Sequence, residues 1–321
     1  MKITLMYKIM ALLMTIMSAL GIGLTEPPAT DDPITVNENA NMTFIAWGDT
    51  QVSNYLLSRN QYTKNACEDL VNSDIEFDAF VVAGDMAENG LNAEYATLAD
   101  YFSPVKTKAY VFCEGNHDVR LKSYSVQSKR FIKFVNALNR DNNLSIDKLN
   151  YTYEANGYKF IVLSTDRMEL EENWFSNEQL KWLDNELALS AKDGKPVFVV
   201  NHQPLAYTHG LPDTWGSPVE SAGSVGKQSD ELFDIMNKYQ NVIFITGHLH
   251  TAFGQYLYEK KDNVNLVNVP SIGISNKDGF YNQAGLGFIV NVTDDQVIFS
   301  ARDFALGKYV PDGDIVIDLV K

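Results

Sequence analysis

The stretch FIAWGDTQ, residues 44–51, decides the fold predicted for this chain. Its first half, FIAW, has the apolar and aromatic character of a strand that is buried on both faces. The apolar run stops at Gly48-Asp49, and the polar Gln51 follows two residues later. A carboxylate at the tip of a buried strand belongs either to an ordinary turn or to a functional site. Recurrence of the pattern elsewhere in the chain distinguishes these two interpretations.

The same pattern recurs at the ends of four further apolar runs. These are FVVAGD (80–85), YVFCEGNHD (110–118), VFVVNHQP (197–204) and FITGHLH (244–250), which place Asp85, Asn116, His117, Asp118, His202, His248 and His250 at or just beyond strand ends. Four of the five histidines in the chain lie in these motifs, which packing alone does not explain. Ligands of open α/β sheets bind beyond the carboxyl ends of the strands, so we expect these side chains to converge on one site.

Apolar strand-like runs alternate with helical patterns through most of the chain. Strands are predicted at 42–47, 77–83, 108–113, 159–164, 196–200 and 242–246, and helices at 55–73, 93–102, 126–138, from 176 onward and at 231–239. Two hairpins follow, within 254–269 and 286–304. This alternation predicts a layered α/β domain with a mixed sheet system, in which two sheets pack together with helices outside.

The N-terminal residues differ from the rest of the chain. Residues 1–24 contain Lys2 and Lys8 and an apolar run at 9–20, which is short for a membrane span and typical of a signal peptide. An N-terminal anchor is the alternative. Residues 25–41 are predicted to be a linker, and 42–321 a single domain. We therefore expect a secreted or extracytoplasmic protein of the periplasm or cell envelope, with no stable membrane span once the signal peptide is cleaved.

Composition restricts the partners of the protein. The formal net charge of the 321 residues is -15, which repels phosphate backbones, so we expect no nucleic-acid polymer as a partner. The negative net charge does not exclude a small phosphorylated substrate, because a bound metal can invert the local charge. The two cysteines, Cys67 and Cys113, are too few for a disulfide framework. The sequence leaves two alternatives, a disulfide bridge between these cysteines or two buried free thiols.

The side chains at the strand ends have the chemistry of metal ligands. Carboxylate, imidazole and carboxamide groups without thiolates suit divalent Mn, Fe or Zn. There are more candidate ligands than one ion needs, so two ions are expected. Two ions about 3.5–4 Å apart can activate a bridging water and hold the oxygens of a phosphoryl group during its displacement.

The order D-x-Q, G-D, G-N-H-D, H and G-H-x-H resembles the calcineurin-like metallophosphoesterase family over essentially the whole chain after the linker. The resemblance implies a four-layer αββα sandwich, with two mixed β-sheets flanked by helices, and a dinuclear metal centre. It implies that Asp85 bridges the ions, that Asp49, Gln51 and His250 hold one, and that Asn116, His202 and His248 hold the other. His117 would contact the phosphate and assist the leaving oxygen, and Asp118 would orient the imidazole of His117.

Three positions need separate comment. Gln51 stands where the family usually has histidine, so its ion would bind more weakly or keep a water. Glu88 lies three residues after Asp85, where the related purple acid phosphatases have tyrosine, so a purple enzyme is not expected. The loop 206–218, with Tyr207, His209 and Trp215, lines the substrate mouth or is an ordinary surface loop.

The predicted activity is that of a metal-dependent phosphoric ester hydrolase, a phosphoesterase that uses water activated between two divalent metals. One alternative keeps the chemistry and changes the substrate, giving a phosphodiesterase or nucleotide pyrophosphatase that acts on cyclic nucleotides or nucleoside polyphosphates. The other alternative is a non-catalytic metal-binding surface protein that retains the fold. Only Gln51 favours the last, whereas the remaining ligand set and His117 favour an enzyme.

Overall fold

The computed structural model describes residues 32–169, 171–190, 194–219 and 221–320. The predicted signal peptide and the first residues of the predicted linker lie outside these ranges. Within the described residues, none of the helices combines the length and the apolar character that crossing a bilayer requires.

The described chain forms strands and helices in alternation through its first two thirds. The strands are β1 (Met42–Trp47), β2 (Ala79–Ala83), β3 (Tyr110–Cys113), β4 (Tyr151–Ala155), β5 (Tyr158–Val162), β6 (Val197–Val200), β7 (Val242–Thr246), β8 (Tyr258–Lys261), β9 (Val264–Asn268), β10 (Leu286–Val292), β11 (Gln296–Asp303), β12 (Lys308–Tyr309) and β13 (Ile315–Asp318). The α-helices are α1 (Leu57–Asn72), α2 (Asn92–Phe102), α3 (Asn116–Val119), α4 (Tyr124–Leu138), α5 (Asn177–Ser190) and α6 (Ser229–Met236).

These strands form two mixed sheets. The first has the order β12-β11-β10-β1-β2-β3, with β13 also paired to β11, and the second has the order β4-β5-β6-β7-β9-β8. In the first sheet β1, β2 and β3 are parallel, and β10 joins β1 in antiparallel fashion. In the second sheet β5, β6, β7 and β9 are parallel. Helices connect most of the parallel strands, and the carboxyl ends of parallel neighbours lie at the same edge of each sheet.

The alternation of side chains along each strand builds the layers. Phe44 of β1 packs between the sheets, with ring centroids 5.2 Å from Phe160 and 5.1 Å from Phe198 of the second sheet. Trp47 faces the other way, against Phe80 and against Phe102 of α2. On the outer face of the second sheet, Ile161, Val199 and Phe244 pack in one cluster with Leu183 of α5 and Leu232 of α6. The predicted four-layer αββα sandwich is confirmed.

The described part of the predicted linker packs against the first sheet. Ile34 is part of the hydrophobic core. The carbonyl of Asp32 accepts a hydrogen bond from the buried Arg302, whose guanidinium also pairs with Asp69 at 2.7 Å. Residues 32–41 therefore pack against the domain. Cys67 and Cys113 are both buried free thiols, so the bridge between them does not form.

Candidate metal centre

The carboxyl ends of five parallel strands supply the predicted ligands. Asp49 follows β1, Asp85 follows β2 and Asn116 follows β3, all in the first sheet. His202 and His248 follow β6 and β7 of the second sheet. Hydrogen bonds that involve the backbone join the sheets at this edge. The backbone N–H of His248 donates to Asp49 Oδ2 at 3.0 Å, and His202 Nδ1 donates to the carbonyl of Ala83 at 2.8 Å.

One group of donor atoms gathers around the imidazole of His202. Its Nε2 lies 3.3 Å from Asp85 Oδ2, 3.2 Å from Asn116 Oδ1 and 3.1 Å from His248 Nδ1. All four side chains are buried. The second ring nitrogen of His248, Nε2, is buried without a hydrogen-bond partner among the described residues. A buried set of one carboxylate, one amide and two imidazoles fits a divalent transition metal, because these groups are the ligands such ions prefer.

A second group adjoins the first through Asp85. His250 Nε2 lies 3.2 Å from Asp49 Oδ1, and the side-chain amide of Gln51 donates to Asp85 Oδ2 at 3.1 Å. The Asp85 oxygen that faces His202 is therefore also the oxygen that faces Gln51. This position between the two groups is the one that a shared ligand needs. Gln51 presents its nitrogen here, and a half-turn of the amide would present Oε1 instead.

The backbone at this edge adopts a conformation that is rare outside glycine. Positive φ angles occur at Asp49 (50°), Gln51 (37°), Asp85 (50°), His248 (71°) and His250 (51°). Each such residue costs about 1–3 kcal/mol and persists only where its surroundings impose the conformation. Hydrogen bonds from Asp49 N to the Gly84 carbonyl and from Gln51 N to the Asp85 carbonyl do so here. Strain of this kind is concentrated at functional sites.

The electrostatics of the cluster depend on the proximity of Asp85 and His202. Burial alone would raise the pKa of Asp85, but the charges of His202 and His117 outweigh it and hold the pKa well below its usual range. Burial lowers the pKa of His202, yet the carboxylates of Asp85 and Asp49 raise it to about 10. Burial and the neighbouring His202 lower the pKa of His248 well below its usual value. The metal-free centre is thus an ion pair between Asp85 and protonated His202.

The role expected for Asp118 is not the one that the structure assigns. Its carboxylate accepts four hydrogen bonds, from the backbone N–H groups of Met86, Ala87 and Gly115 and from the hydroxyl of Tyr95. These donors occupy both oxygens, so Asp118 joins the loops that carry Asp85 and Asn116 and does not orient His117. Burial and the charge of Asp85 raise the pKa of Asp118 to about 7.

The imidazole of His117 is held by other residues. Its Nδ1 lies 3.1 Å from the carbonyl of Glu88, and its Nε2 lies 3.1 Å from Arg120 Nη1 and 3.9 Å from Asp85 Oδ2. The side chain is 18% exposed, so the ring lies at the mouth of the centre. Sequence reasoning missed Arg120 and the contact of Glu88 with His117. The available signal was the position of Arg120, two residues after the G-N-H-D motif.

The loop after β6 reaches the cluster through Trp215, whose indole stacks on the His248 ring with centroids 4.5 Å apart. His209 lies elsewhere, because it is buried and its Nδ1 bonds the carbonyl of Tyr256. That burial argues against the predicted substrate contact of His209. Tyr207 is exposed and lines a depression of about 390 Å³ together with Lys227.

Glu171 is a carboxylate at this mouth that the sequence did not indicate. Its Oε2 lies 3.7 Å from His248 Nε2, too far for a direct hydrogen bond. The side chain of Glu171 is 53% exposed, whereas His248 Nε2 is buried. Together with Trp215, this residue encloses the outer side of His248.

Comparison with known protein families agrees with this geometry. A family model described as calcineurin-like phosphoesterase matches residues 42–252, which include β1 and every predicted ligand. The chain belongs to the calcineurin-like phosphoesterase family. It is accordingly a metal-dependent phosphoric ester hydrolase, and Asp85, His202 and His248 form a buried group that could hold a divalent metal.

Individual relatives of this phosphoesterase are distant. A probable cyclic nucleotide phosphodiesterase from Ruthia magnifica is 23% identical over 76% of this chain and 90% of its own length. A cAMP/cGMP dual specificity phosphodiesterase from Mycobacterium tuberculosis is 29% identical, over 43% of this chain and 40% of its own length. Among solved structures, a dimetal phosphatase from Danio rerio has a TM-score of 0.58 at 16% identity, over 88% of this chain and all of its own. At 16% identity, the similarity to the Danio rerio phosphatase is evidence for the fold alone.

Proposed function

We propose that this phosphoesterase is a phosphodiesterase acting on a small phosphorylated substrate, with a cyclic nucleotide as the first candidate. The observation that carries the proposal is the convergence of Asp85, Asn116 and His248 within 3.3 Å of His202 Nε2, next to the pair of Asp49 and His250. Two relatives that carry cyclic nucleotide phosphodiesterase names support the choice of substrate.

Each residue has a proposed role. Asp85 would be shared by two ions, of which Asp49, Gln51 and His250 would hold one and Asn116, His202 and His248 the other. Mn, Fe or Zn, when bound, supplies Lewis acidity and lowers the pKa of a coordinated water. His202 keeps its Nε2 directed into the centre because its Nδ1 donates to the carbonyl of Ala83. His117, at the open side, contacts the phosphate and assists the departing oxygen.

Substitution of the shared ligand tests the proposal. Asp85→Asn should lower kcat/KM of the Mn- or Zn-supplemented enzyme by at least about a hundredfold, because an amide is a poor bridge between two cations. Asp100→Asn, an exposed carboxylate on α2, is the matched control and should retain full activity. Cyclic nucleotides, bis-p-nitrophenyl phosphate, p-nitrophenyl phosphate and nucleoside polyphosphates form the substrate panel. Full activity of Asp85→Asn would refute the metal mechanism, and a preference for the monoester would refute the diesterase assignment.

We propose an extracytoplasmic location, which rests on the sequence of residues 1–24 alone. The two lysines before the apolar run at 9–20 and the small residues Ser18, Ala19 and Gly21 at its end support an export signal. Mass spectrometry of the native protein should find an N-terminus close to residue 24. An intact N-terminus in a purely cytoplasmic fraction would contradict this location.

A further inference from the structure

Arg120 is the cation closest to His117 among the contacts of the described residues. It follows α3 directly, and its guanidinium turns back toward the metal centre. Its Nη2 donates to Glu88 Oε1 at 2.7 Å and to the Glu88 carbonyl at 2.9 Å. Its Nη1 lies 3.1 Å from His117 Nε2. With 30% of its side chain exposed, Arg120 is anchored on one edge and open to solvent on the other.

The contact between Arg120 and His117 determines which atoms can donate hydrogen bonds. A guanidinium has donors and no acceptor, so His117 Nε2 must accept this hydrogen bond. The proton of the neutral ring is then on Nδ1, which donates to the carbonyl of Glu88. The side of His117 that faces Asp85 therefore presents a lone pair, and the N–H groups available there belong to Arg120.

The charges around Arg120 favour an anion. Glu88 pairs with Arg120 at 2.7 Å and with Arg59 at 2.6 Å, so one carboxylate is shared by two guanidinium groups. The guanidinium of Arg120 places a positive charge beside His117 in a chain whose formal net charge is -15. A planar guanidinium with fixed donors matches the oxygens of a phosphate group, to which it can give two parallel hydrogen bonds.

We propose that Arg120 is a further catalytic residue, which binds a non-bridging oxygen of the scissile phosphate. This inference rests on the proposed function. On substrate binding, Nη1 exchanges its contact with His117 Nε2 for a phosphate oxygen, while Nη2 keeps its bonds to Glu88. The exchange moves only hydrogen bonds. It frees the lone pair of His117 Nε2, which can then take up a proton from solvent and donate it to the leaving oxygen. Glu88 is then the positioning residue that holds the guanidinium in reach.

The test compares Arg120→Ala with Arg59→Ala in the full chain loaded with Mn. Both variants remove one guanidinium from Glu88, but only Arg120 reaches His117. Arg120→Ala should lower kcat/KM about a hundredfold, as the loss of one donor to a transition-state oxygen does. It should also weaken binding of inorganic phosphate, measured by calorimetry, about tenfold. Arg59→Ala should change either quantity by less than about threefold, because a partly exposed ion pair contributes little.

Two further measurements separate binding from folding. Metal content and circular dichroism should match the wild type, and Arg120→Lys, which keeps the charge, should lie between wild type and Arg120→Ala. Free guanidinium should restore part of the activity of Arg120→Ala, whereas urea, its uncharged analogue, should not. Equal losses in the two alanine variants, or unchanged phosphate affinity in Arg120→Ala, would overturn the role of Arg120. If the wild type hydrolyses none of the substrates, the proposed function fails. The phosphate affinities of the wild type and Arg120→Ala still show whether Arg120 binds the anion.

Discussion

Gln51 is the residue at which the proposed ligand set of this phosphoesterase departs from the usual one. Its amide lies where an imidazole is common, and in the described structure it donates to Asp85 Oδ2. A neutral amide oxygen is a weaker ligand for Mn, Fe or Zn than an imidazole nitrogen. The group formed by Asp49, Gln51 and His250 is therefore expected to hold its ion less tightly than the group around His202.

Replacement of Gln51 by histidine tests that expectation. Gln51→His should raise the affinity for the second Mn or Zn about tenfold, equivalent to about 1.4 kcal/mol of binding free energy. Equilibrium dialysis with metal analysis measures the change, and Gln61→His on α1 is the control for a histidine placed elsewhere. An unchanged second dissociation constant would place Gln51 outside the ligand set.

His202 makes metal uptake dependent on pH. Its pKa is raised to about 10, so it is protonated at neutral pH in the metal-free protein. A metal needs the neutral imidazole, and binding must therefore release that proton. Metal affinity should rise with pH up to about 10, by close to tenfold per pH unit. Calorimetry at pH 7.5 in buffers of different ionisation enthalpy should find about one proton released per ion at the His202 site, and no release would contradict the ion pair.

At the scale of the elements, the strand ends approach one another so closely that glycine is required. A Cβ on Gly115, just after β3, would lie 2.1 Å from Asp85 Oδ1, and one on Gly84 would lie 2.4 Å from His202 Nδ1. The motif glycines therefore serve the geometry of the ligands. The motif pattern is visible in the sequence, whereas the identity of the crowded atoms depends on how β2, β3 and β6 meet.

Gly115→Ala should accordingly disable the centre. The new methyl group would lie 2.1 Å from Oδ1 and 2.3 Å from the backbone nitrogen of Asp85. Asp85 must therefore shift, and metal affinity should fall at least about tenfold, the scale seen when ligand supports are disturbed. Gly194→Ala is the control, since its Cβ would meet nothing within 4 Å and its positive φ costs only about 1–2 kcal/mol of unfolding free energy. Metal titration and urea unfolding measure the two effects. Normal metal binding by Gly115→Ala would show that the strand ends can separate.

The central strands were predictable and the peripheral ones were not. Runs such as 42–47 and 242–246 coincide with β1 and β7, because strands buried on both faces are continuously apolar. Three strands were not predicted: β4, β12 and β13. They lie at the edges of their sheets or, in β12, span two residues, so their sequences mix polar and apolar residues. Their pairing depends on neighbours that are distant in sequence.

At the scale of the whole molecule, the candidate metal centre lies between the two sheets. Asp49, Asp85 and Asn116 come from the first sheet, and His202, His248 and His250 come from the second. An ion bound by both sets can be held only while the sheets stay packed, so binding stabilises the folded state. The inter-sheet aromatic contacts of Phe44 with Phe160 and Phe198 form the apolar part of the same interface.

Metal removal should therefore lower thermal stability. A metal concentration a hundred times the dissociation constant adds about 2.7 kcal/mol of unfolding free energy, so chelation should lower Tm by several degrees. Differential scanning calorimetry with and without a chelator measures the shift. Asp85→Asn, which should bind metal poorly, is the control and should show a much smaller shift. A Tm that is independent of metal in the wild type would contradict a site shared between the sheets.

The sequence by itself determined the layered α/β fold and the residue types of the metal centre. These follow from local information, since buried strands are apolar and their ends carry the Asp, Asn and His ligands in recognisable motifs. Only the tertiary structure decided which side chains contact one another. It placed Asp118 on backbone donors, His209 away from the centre, Trp215 on His248 and Arg120 on His117. Such contacts depend on the angle and distance at which separate loops meet, and no single stretch of sequence contains that information.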